Sequence, residues 1–126
     1  MPQLALVVDD SMLIRHTVCR FLEQRGFAVE TASDGAEALQ MLGSLRPDLI
    51  VTDLMMPKMT GSELITAVKS DDAICKIPII VLSGRRSAEE LRPESRADYV
   101  IFKDIDIVEQ LEKALATTVG RTEVVN

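Results

Sequence analysis

Five polar side chains follow short apolar segments of this sequence, each where its segment ends. Asp9 and Asp10 follow LALVV, Asp53 follows LIVT, Ser83 follows IIVL and Lys103 follows YVIF. Three carboxylates held within a few ångströms repel one another unless a cation neutralises them. An all-oxygen donor set with room for water suits Mg²⁺, with Mn²⁺ as an alternative. The three aspartates therefore predict a divalent-cation site.

The same five side chains have the chemistry that phosphoryl transfer requires. A metal ion and Lys103 would neutralise the equatorial oxygens of the phosphoryl group, and Ser83 would add a hydroxyl donor. A carboxylate oxygen in line would be the nucleophile. Asp53 stands alone, whereas Asp9 and Asp10 form a pair. We therefore predict that Asp53 is the nucleophile and that the pair binds the metal.

Each residue also has a purely structural interpretation. Asp10 and Ser11 could cap a helix, and Asp53 could begin a turn. Ser83 could cap the helix that follows it, and Lys103 could be a solvated surface charge. The site is favoured because all of these positions follow the same kind of segment.

The elements that must position these residues alternate along the chain. Short apolar segments rich in β-branched residues predict five strands, at 4–8, 28–32, 49–52, 79–82 and 99–102. Segments with helical periodicity separate them, which predicts an α/β domain with a parallel sheet. Because the carboxyl ends of parallel strands lie along one edge, the five polar side chains should converge there.

Four helical segments have apolar stripes that we expect to pack on the sheet, among them the first and the last helix. The first ends at Gly26, and the last runs to Gly120. Between the fourth and fifth strands, Pro93 interrupts the helical pattern, so the fourth helix should be short, displaced or irregular. The predicted stripes are Leu13, Ile14, Thr17, Val18, Phe21 and Leu22 in the first helix, and Ile105, Val108, Leu111 and Leu115 in the last.

Length and composition narrow the function classes. The chain has 126 residues and a formal net charge of −6, which fits one domain over 1–120 with a tail at 121–126 and argues against nucleic-acid binding. No apolar run is long enough to insert in a membrane and no secretory signal is visible, so we expect a cytoplasmic protein. Cys19 and Cys75 should be reduced thiols, since His16 alone cannot complete a zinc site with them.

Three motifs together resemble the receiver domains of response regulators in two-component signalling, particularly the single-domain chemotaxis regulators. They are VVDDS at 7–11, DLMMPKMTG at 53–61 and IPIIVLSG at 77–84, followed by Lys103. The resemblance implies a flavodoxin-like, doubly wound, five-stranded parallel sheet of order 2-1-3-4-5. It also implies that a sensor histidine kinase or phosphotransfer protein phosphorylates Asp53, and that the domain catalyses its own phosphorylation and dephosphorylation without turning over an external substrate.

The resemblance also assigns roles around the phosphorylation site. Asp10 and Asp53 would bind Mg²⁺ directly, Asp9 mainly through water and Met55 by its backbone carbonyl. Ser83 would act as a switch on the phosphoryl oxygen.

Further roles follow in the same way. Lys103 would pair with the phosphoryl group, and Gly84 would leave the pocket open to a bulky donor. Met55 and Arg85 are candidates for setting the dephosphorylation rate. Gly61 is expected in a turn with positive φ.

A domain of this kind would regulate a downstream effector protein. Since 126 residues fit a receiver alone, we expect that effector on another chain or on a part of the gene product outside these residues. A phosphorylation-linked dimer is left open.

The sequence departs from the family at two positions. Asp104 replaces the usual proline after Lys103, and Val100 occupies the usual aromatic position. Tyr99 is displaced by one residue, which in a strand points its side chain to the other face.

Two other classes compete with a receiver. A pseudo-receiver would keep the fold as a binding module without phosphorylation, but the five polar residues are intact. A haloacid-dehalogenase-type phosphatase needs a second aspartate two residues after its nucleophile, where this chain has Met55.

Overall fold

The computed structural model describes residues 3–53, 59–83, 99–102 and 106–118. Five strands and four helices lie within these ranges, and the helix after β5 is labelled α4. The strands are β1 (Leu4–Val8), β2 (Ala28–Ala32), β3 (Leu49–Asp53), β4 (Ile79–Ser83) and β5 (Tyr99–Phe102). The helices are α1 (Met12–Gln24), α2 (Gly35–Met41), α3 (Gly61–Lys69) and α4 (Ile107–Thr118).

All strand pairs are parallel, and the sheet has the order β2-β1-β3-β4-β5. This confirms the predicted fold class. β1, β3 and β4 occupy the middle, and from Ala5 onward every residue of these strands is buried. β2 is an edge strand with mostly exposed residues, which explains why its sequence AVETA is the most polar of the five.

Alternate strand residues contribute to two hydrophobic clusters, one on each face of the sheet. Ala5, Val7 and Leu82 pack with Val18 of α1 and Leu111 of α4. On the opposite face, Leu6, Val8 and Val81 pack with residues of α2 and α3. The sheet is therefore covered on both sides, as a doubly wound fold requires.

Helix caps fix where the chain leaves the strand ends. The Ser11 side chain accepts the Ile14 N–H at the start of α1, and Thr60 forms a capping box with Glu63 at the start of α3. After α1, Gly26 adopts φ of 90°, a conformation that favours glycine. The prediction that α1 ends at Gly26 is confirmed.

The predicted helix stripes are wrong at two positions. Leu13 is 73 % and Val108 is 43 % exposed. Buried Val18 lies four residues from Ile14, and buried Phe21 lies three further on, so Leu13 falls on the flank of that stripe. In α4, Leu111 and Ala114 are buried and partly buried Ile107 packs with them, so the inward face passes through residue 107 rather than 108.

Other expectations have separate outcomes. Gly61 is the first residue of α3, a helical position rather than the expected turn.

Both cysteines are free, and burial, reinforced by Glu23, raises the pKa of the Cys19 thiol. None of the helices within the described ranges has the length and hydropathy that crossing a membrane requires. The segment 84–98, for which a short, displaced or irregular fourth helix is predicted, and the tail at 121–126 lie outside the described residues.

Candidate functional site

The acidic residues meet at the carboxyl edge of the three central strands. Val8 of β1 pairs with Thr52 of β3, so Asp9 comes next along β1 just as Asp53 comes next along β3. On the other side, Asp53 pairs with Leu82 of β4. Asp53 therefore lies between the end of β1 and the end of β4.

The carboxylates of Asp9, Asp10 and Asp53 each place an oxygen within 4.8 Å of the other two. Asp9 is completely buried and Asp53 is 4 % exposed, whereas Asp10 is exposed. Burying carboxylates side by side is costly without compensating charge. The arrangement suits a divalent cation. The buried carboxylates of Asp9 and Asp53 would lie on its protein side, and water could reach it beside Asp10.

Backbone hydrogen bonds hold the end of β1 in place. The Asp9 N–H donates to the Ala32 carbonyl at 3.1 Å, and the Ser11 N–H donates to Asp9 Oδ1 at 2.8 Å. The second bond occupies one oxygen of Asp9 and aims its carboxylate along the turn into α1. Because Ser11 is the N-cap, Asp10 is not needed for capping.

The end of β3 is fixed by the neighbouring residue. The buried Thr52 hydroxyl donates to the Asp53 carbonyl at 3.0 Å. This bond lies within the strand end and uses the backbone of Asp53, whose carboxylate belongs to the acidic cluster. The candidate nucleophile is thus held on a rigid element.

Ser83 ends β4 and is 1 % exposed. Since β3 and β4 are neighbours, Ser83 belongs to the same edge as Asp53. Several predicted site residues lie outside the described residues, so their roles stay predictions: Lys103, Met55, Gly84 and Arg85.

Val100 and Tyr99 lie on opposite faces of β5. Tyr99 packs against the cluster under α1 and α4, and Val100 packs against the cluster under α2 and α3. The prediction that these two side chains lie on opposite faces of the strand is confirmed. Tyr99 therefore lies on the face of β5 opposite to Val100.

Sequence reasoning missed two contacts at the edge of this site. Arg15 donates from Nη1 to the Asp9 carbonyl at 2.7 Å. Gly35, at the start of α2, lies so close to Met59 that a Cβ atom there would be 2.9 Å from the Met59 carbonyl oxygen. Neither contact has a sequence signature, since the first depends on the rotamer of a long helical side chain and the second on how the segment before α3 approaches the start of α2.

Comparisons with known proteins agree with this fold. The family model of the response regulator receiver domain matches residues 5–116. The chain therefore belongs to the response regulator receiver domain family.

A curated relative is the response regulator MprA of Mycolicibacterium vanbaalenii, 44 % identical over 92 residues. The match covers 71 % of this chain but only 38 % of that protein, so this chain spans well under half of the curated relatives it matches.

Solved structures show the same fold. The chemotaxis response regulator CheY4 of Vibrio cholerae is 35 % identical, with a TM-score of 0.85 over 94 % of this chain and 99 % of that one. The receiver domain of sensor histidine kinase PA1611 of Pseudomonas aeruginosa, 20 % identical, has a TM-score of 0.85 over 95 % and 99 % of the two chains. That structure contains a magnesium ion coordinated in its active site cleft.

Proposed function

We propose that this domain is a phosphorylation-dependent switch in which Asp53 accepts a phosphoryl group with the aid of Mg²⁺. The observation that carries this function is the meeting of three carboxylates within 4.8 Å at the carboxyl edge of the sheet. Two of them are buried, an arrangement that a cation stabilises. The magnesium ion in the related PA1611 receiver domain supports Mg²⁺ as that cation.

The transfer step requires a donor with a phosphorylated histidine, carried by a sensor kinase or a phosphotransfer protein. A carboxylate oxygen of Asp53 attacks the phosphorus, the P–N bond breaks, and the imidazole nitrogen leaves with the bonding pair and takes up a proton. Asp53 then carries an acyl phosphate, which water hydrolyses back to the carboxylate. The domain is therefore its own catalyst.

Positioning and charge stabilisation account for most of the catalysis of phosphoryl transfer. Asp10 and Asp53 would hold the cation, Asp9 mainly through water, with the backbone carbonyl of Met55 as a further ligand. Ser83 and Lys103 bind phosphoryl oxygens, and Gly84 leaves space for the donor. A bound Mg²⁺ supplies positive charge beside the transferring oxygens. Met55 and Arg85 tune the rate of hydrolysis.

The output is a change in affinity for an effector protein. A phosphoryl group adds about −1.5 to −2 charges and three acceptor oxygens. It shifts the population between two surface conformations only if they contact it differently. Ser83 and Lys103 are the groups we expect to make those differential contacts.

The test is phosphorylation with acetyl phosphate, which needs no cognate kinase. In the presence of Mg²⁺ the wild type should gain one phosphoryl mass in an intact-mass spectrum, and chelation of Mg²⁺ should abolish the gain. Asp53→Asn should gain none, because the amide is a poor nucleophile. The matched control is Asp72→Asn, which alters an exposed aspartate outside the acidic cluster and should be labelled like the wild type.

Equal labelling of Asp53→Asn would contradict the assignment of the nucleophile. Absence of labelling in the wild type would instead favour the phosphorylation-independent binding module.

A further inference from the structure

We infer that Arg15 is a positioning residue of the cation site, which orients the peptide linking Asp9 to Asp10 without touching the cation. The inference rests on the proposed function, because it concerns the same acidic site. The hydrogen bond that Arg15 Nη1 donates to the Asp9 carbonyl is 2.7 Å long and partly buried. Charge-assisted hydrogen bonds of this length are among the stronger ones in proteins.

Arg15 is itself fixed by the helix that carries it. Its backbone N–H donates to the Ser11 carbonyl at 3.0 Å, which closes the first turn of α1. The side chain then reaches back across the helix terminus to the end of β1. The guanidinium therefore connects the first turn of α1 to Asp9, the first residue of the acidic pair.

This contact bears directly on the geometry of the ligands. The Asp9 carbonyl belongs to the planar peptide unit that ends at the Asp10 Cα. Its orientation therefore determines where the Asp10 side chain starts. The N–H and the Oδ1 atom of Asp9 are also hydrogen-bonded, and Arg15 adds a constraint at the carbonyl. Asp10 is exposed and depends on this peptide for its direction toward Asp53.

The sign of the effect separates positioning from long-range electrostatics. A guanidinium near a cation site repels the cation, so its removal by itself should tighten cation binding. Loss of a positioning contact should weaken cation binding instead, because the ligands no longer hold one geometry. A purely structural role would lower the stability of the fold and leave the affinity unchanged.

The experiment measures Mn²⁺ binding to the full 126-residue chain from the electron paramagnetic resonance signal of free Mn²⁺. Arg15→Met keeps the length of the side chain but removes its donors and charge. It should bind Mn²⁺ about tenfold more weakly than the wild type, as is typical when an outer-shell partner is lost. Arg20→Met is the matched control, since Arg20 is exposed on the same helix. It should change the affinity by less than twofold.

Two lysine variants, Arg15→Lys and Arg20→Lys, test the inference if Arg15→Met does not fold. Arg15→Lys retains the positive charge and N–H donors but lacks the planar guanidinium, so it should bind Mn²⁺ more weakly than Arg20→Lys. The ¹³C shift of the Asp9 carbonyl, read through the Asp10 amide, should change in the Arg15 variants and not in the Arg20 variants.

Two results would overturn the inference while leaving the proposed function intact. One is an affinity of the Arg15 variants equal to or tighter than that of their Arg20 counterparts. The other is an unchanged Asp9 carbonyl shift. Failure of the wild type to bind Mn²⁺ would instead contradict the cation site itself.

Discussion

Asp10 and Ser11 have different positions at the start of α1, which their place in the sequence alone does not determine. The sequence left open whether Asp10 and Ser11 cap the helix or whether Asp10 serves the site. Ser11 takes the cap, and Asp10 remains exposed beside two buried carboxylates. The capping interpretation is therefore confirmed for Ser11, whereas metal binding by Asp10 stays a prediction.

The acidic cluster could be predicted because residue type and strand end together specify it. Asp9 and Asp53 each follow an apolar segment, and parallel pairing places those ends at one edge. Arg15 could not be predicted in the same way. A long side chain on the flank of a helix has many rotamers, and only the folded turn shows that it reaches the Asp9 carbonyl.

Gly35 offers a residue-scale prediction about the segment that follows Asp53. A Cβ atom at Gly35 would lie 2.9 Å from the Met59 carbonyl oxygen and 3.0 Å from the Met59 Cβ. Gly35→Ala must therefore displace backbone and should lower the free energy of unfolding by about 1–3 kcal/mol, measured by urea denaturation. Gly43→Ala is the control, because its nearest contact is the Gln40 carbonyl at 3.1 Å, and it should cost less. Undiminished stability of Gly35→Ala would contradict this close approach.

At the scale of elements, the strands were more predictable than the helices. The central strands are covered on both faces, so their sequences are continuously apolar and easy to recognise. Helices bury only one stripe, and an error of one residue rotates the stripe by about 100°. Leu13 and Val108 are exposed for this reason.

The contacts of Arg25 with Phe21 and Glu112, here called the clamp between α1 and α4, give a prediction for these elements. Arg25 lies 3.8 Å from the centroid of the Phe21 ring and 2.7 Å from Glu112 of α4. Arg25→Ala should lower the free energy of unfolding by about 1 kcal/mol, mainly through loss of the ring contact. Because the side chains of Arg25 and Glu112 are 35 % and 54 % exposed, their coupling in a double-mutant cycle should be about 0.5 kcal/mol and should decrease with salt.

The control for the clamp is the pair of Lys113 and Glu109 within α4. Their side chains are 68 % and 65 % exposed and lie 3.7 Å apart, so Glu109→Ala should have little effect on stability. A large, salt-insensitive coupling between Arg25 and Glu112 would show that the ion pair, rather than the ring contact, dominates.

For the whole molecule, the net charge of −6 gains a local explanation. Three of the acids form one cluster, and their mutual repulsion destabilises the folded state when no cation is bound. Ligands that bind only the folded state stabilise it by mass action. The stability of the whole domain should therefore report on its cation site.

We predict that Mg²⁺ raises the free energy of unfolding by about 2.7 kcal/mol at a hundredfold excess over its Kd, measured by urea denaturation. Asp10→Asn should lose most of this gain and should be more stable than the wild type without Mg²⁺, since one of the repelling charges is gone. Sodium chloride of equal ionic strength serves as the control. An equal gain from sodium chloride, or an undiminished gain in Asp10→Asn, would contradict a specific site.

We propose Asp53 as the residue that becomes phosphorylated. Treatment of the wild type with acetyl phosphate and Mg²⁺, followed by reduction of the acyl phosphate with borohydride, converts the phosphorylated aspartate to homoserine, which peptide mass spectrometry locates. Homoserine is expected at position 53 and at no other aspartate. Homoserine at position 9 or 10, or at none of the three, would contradict it.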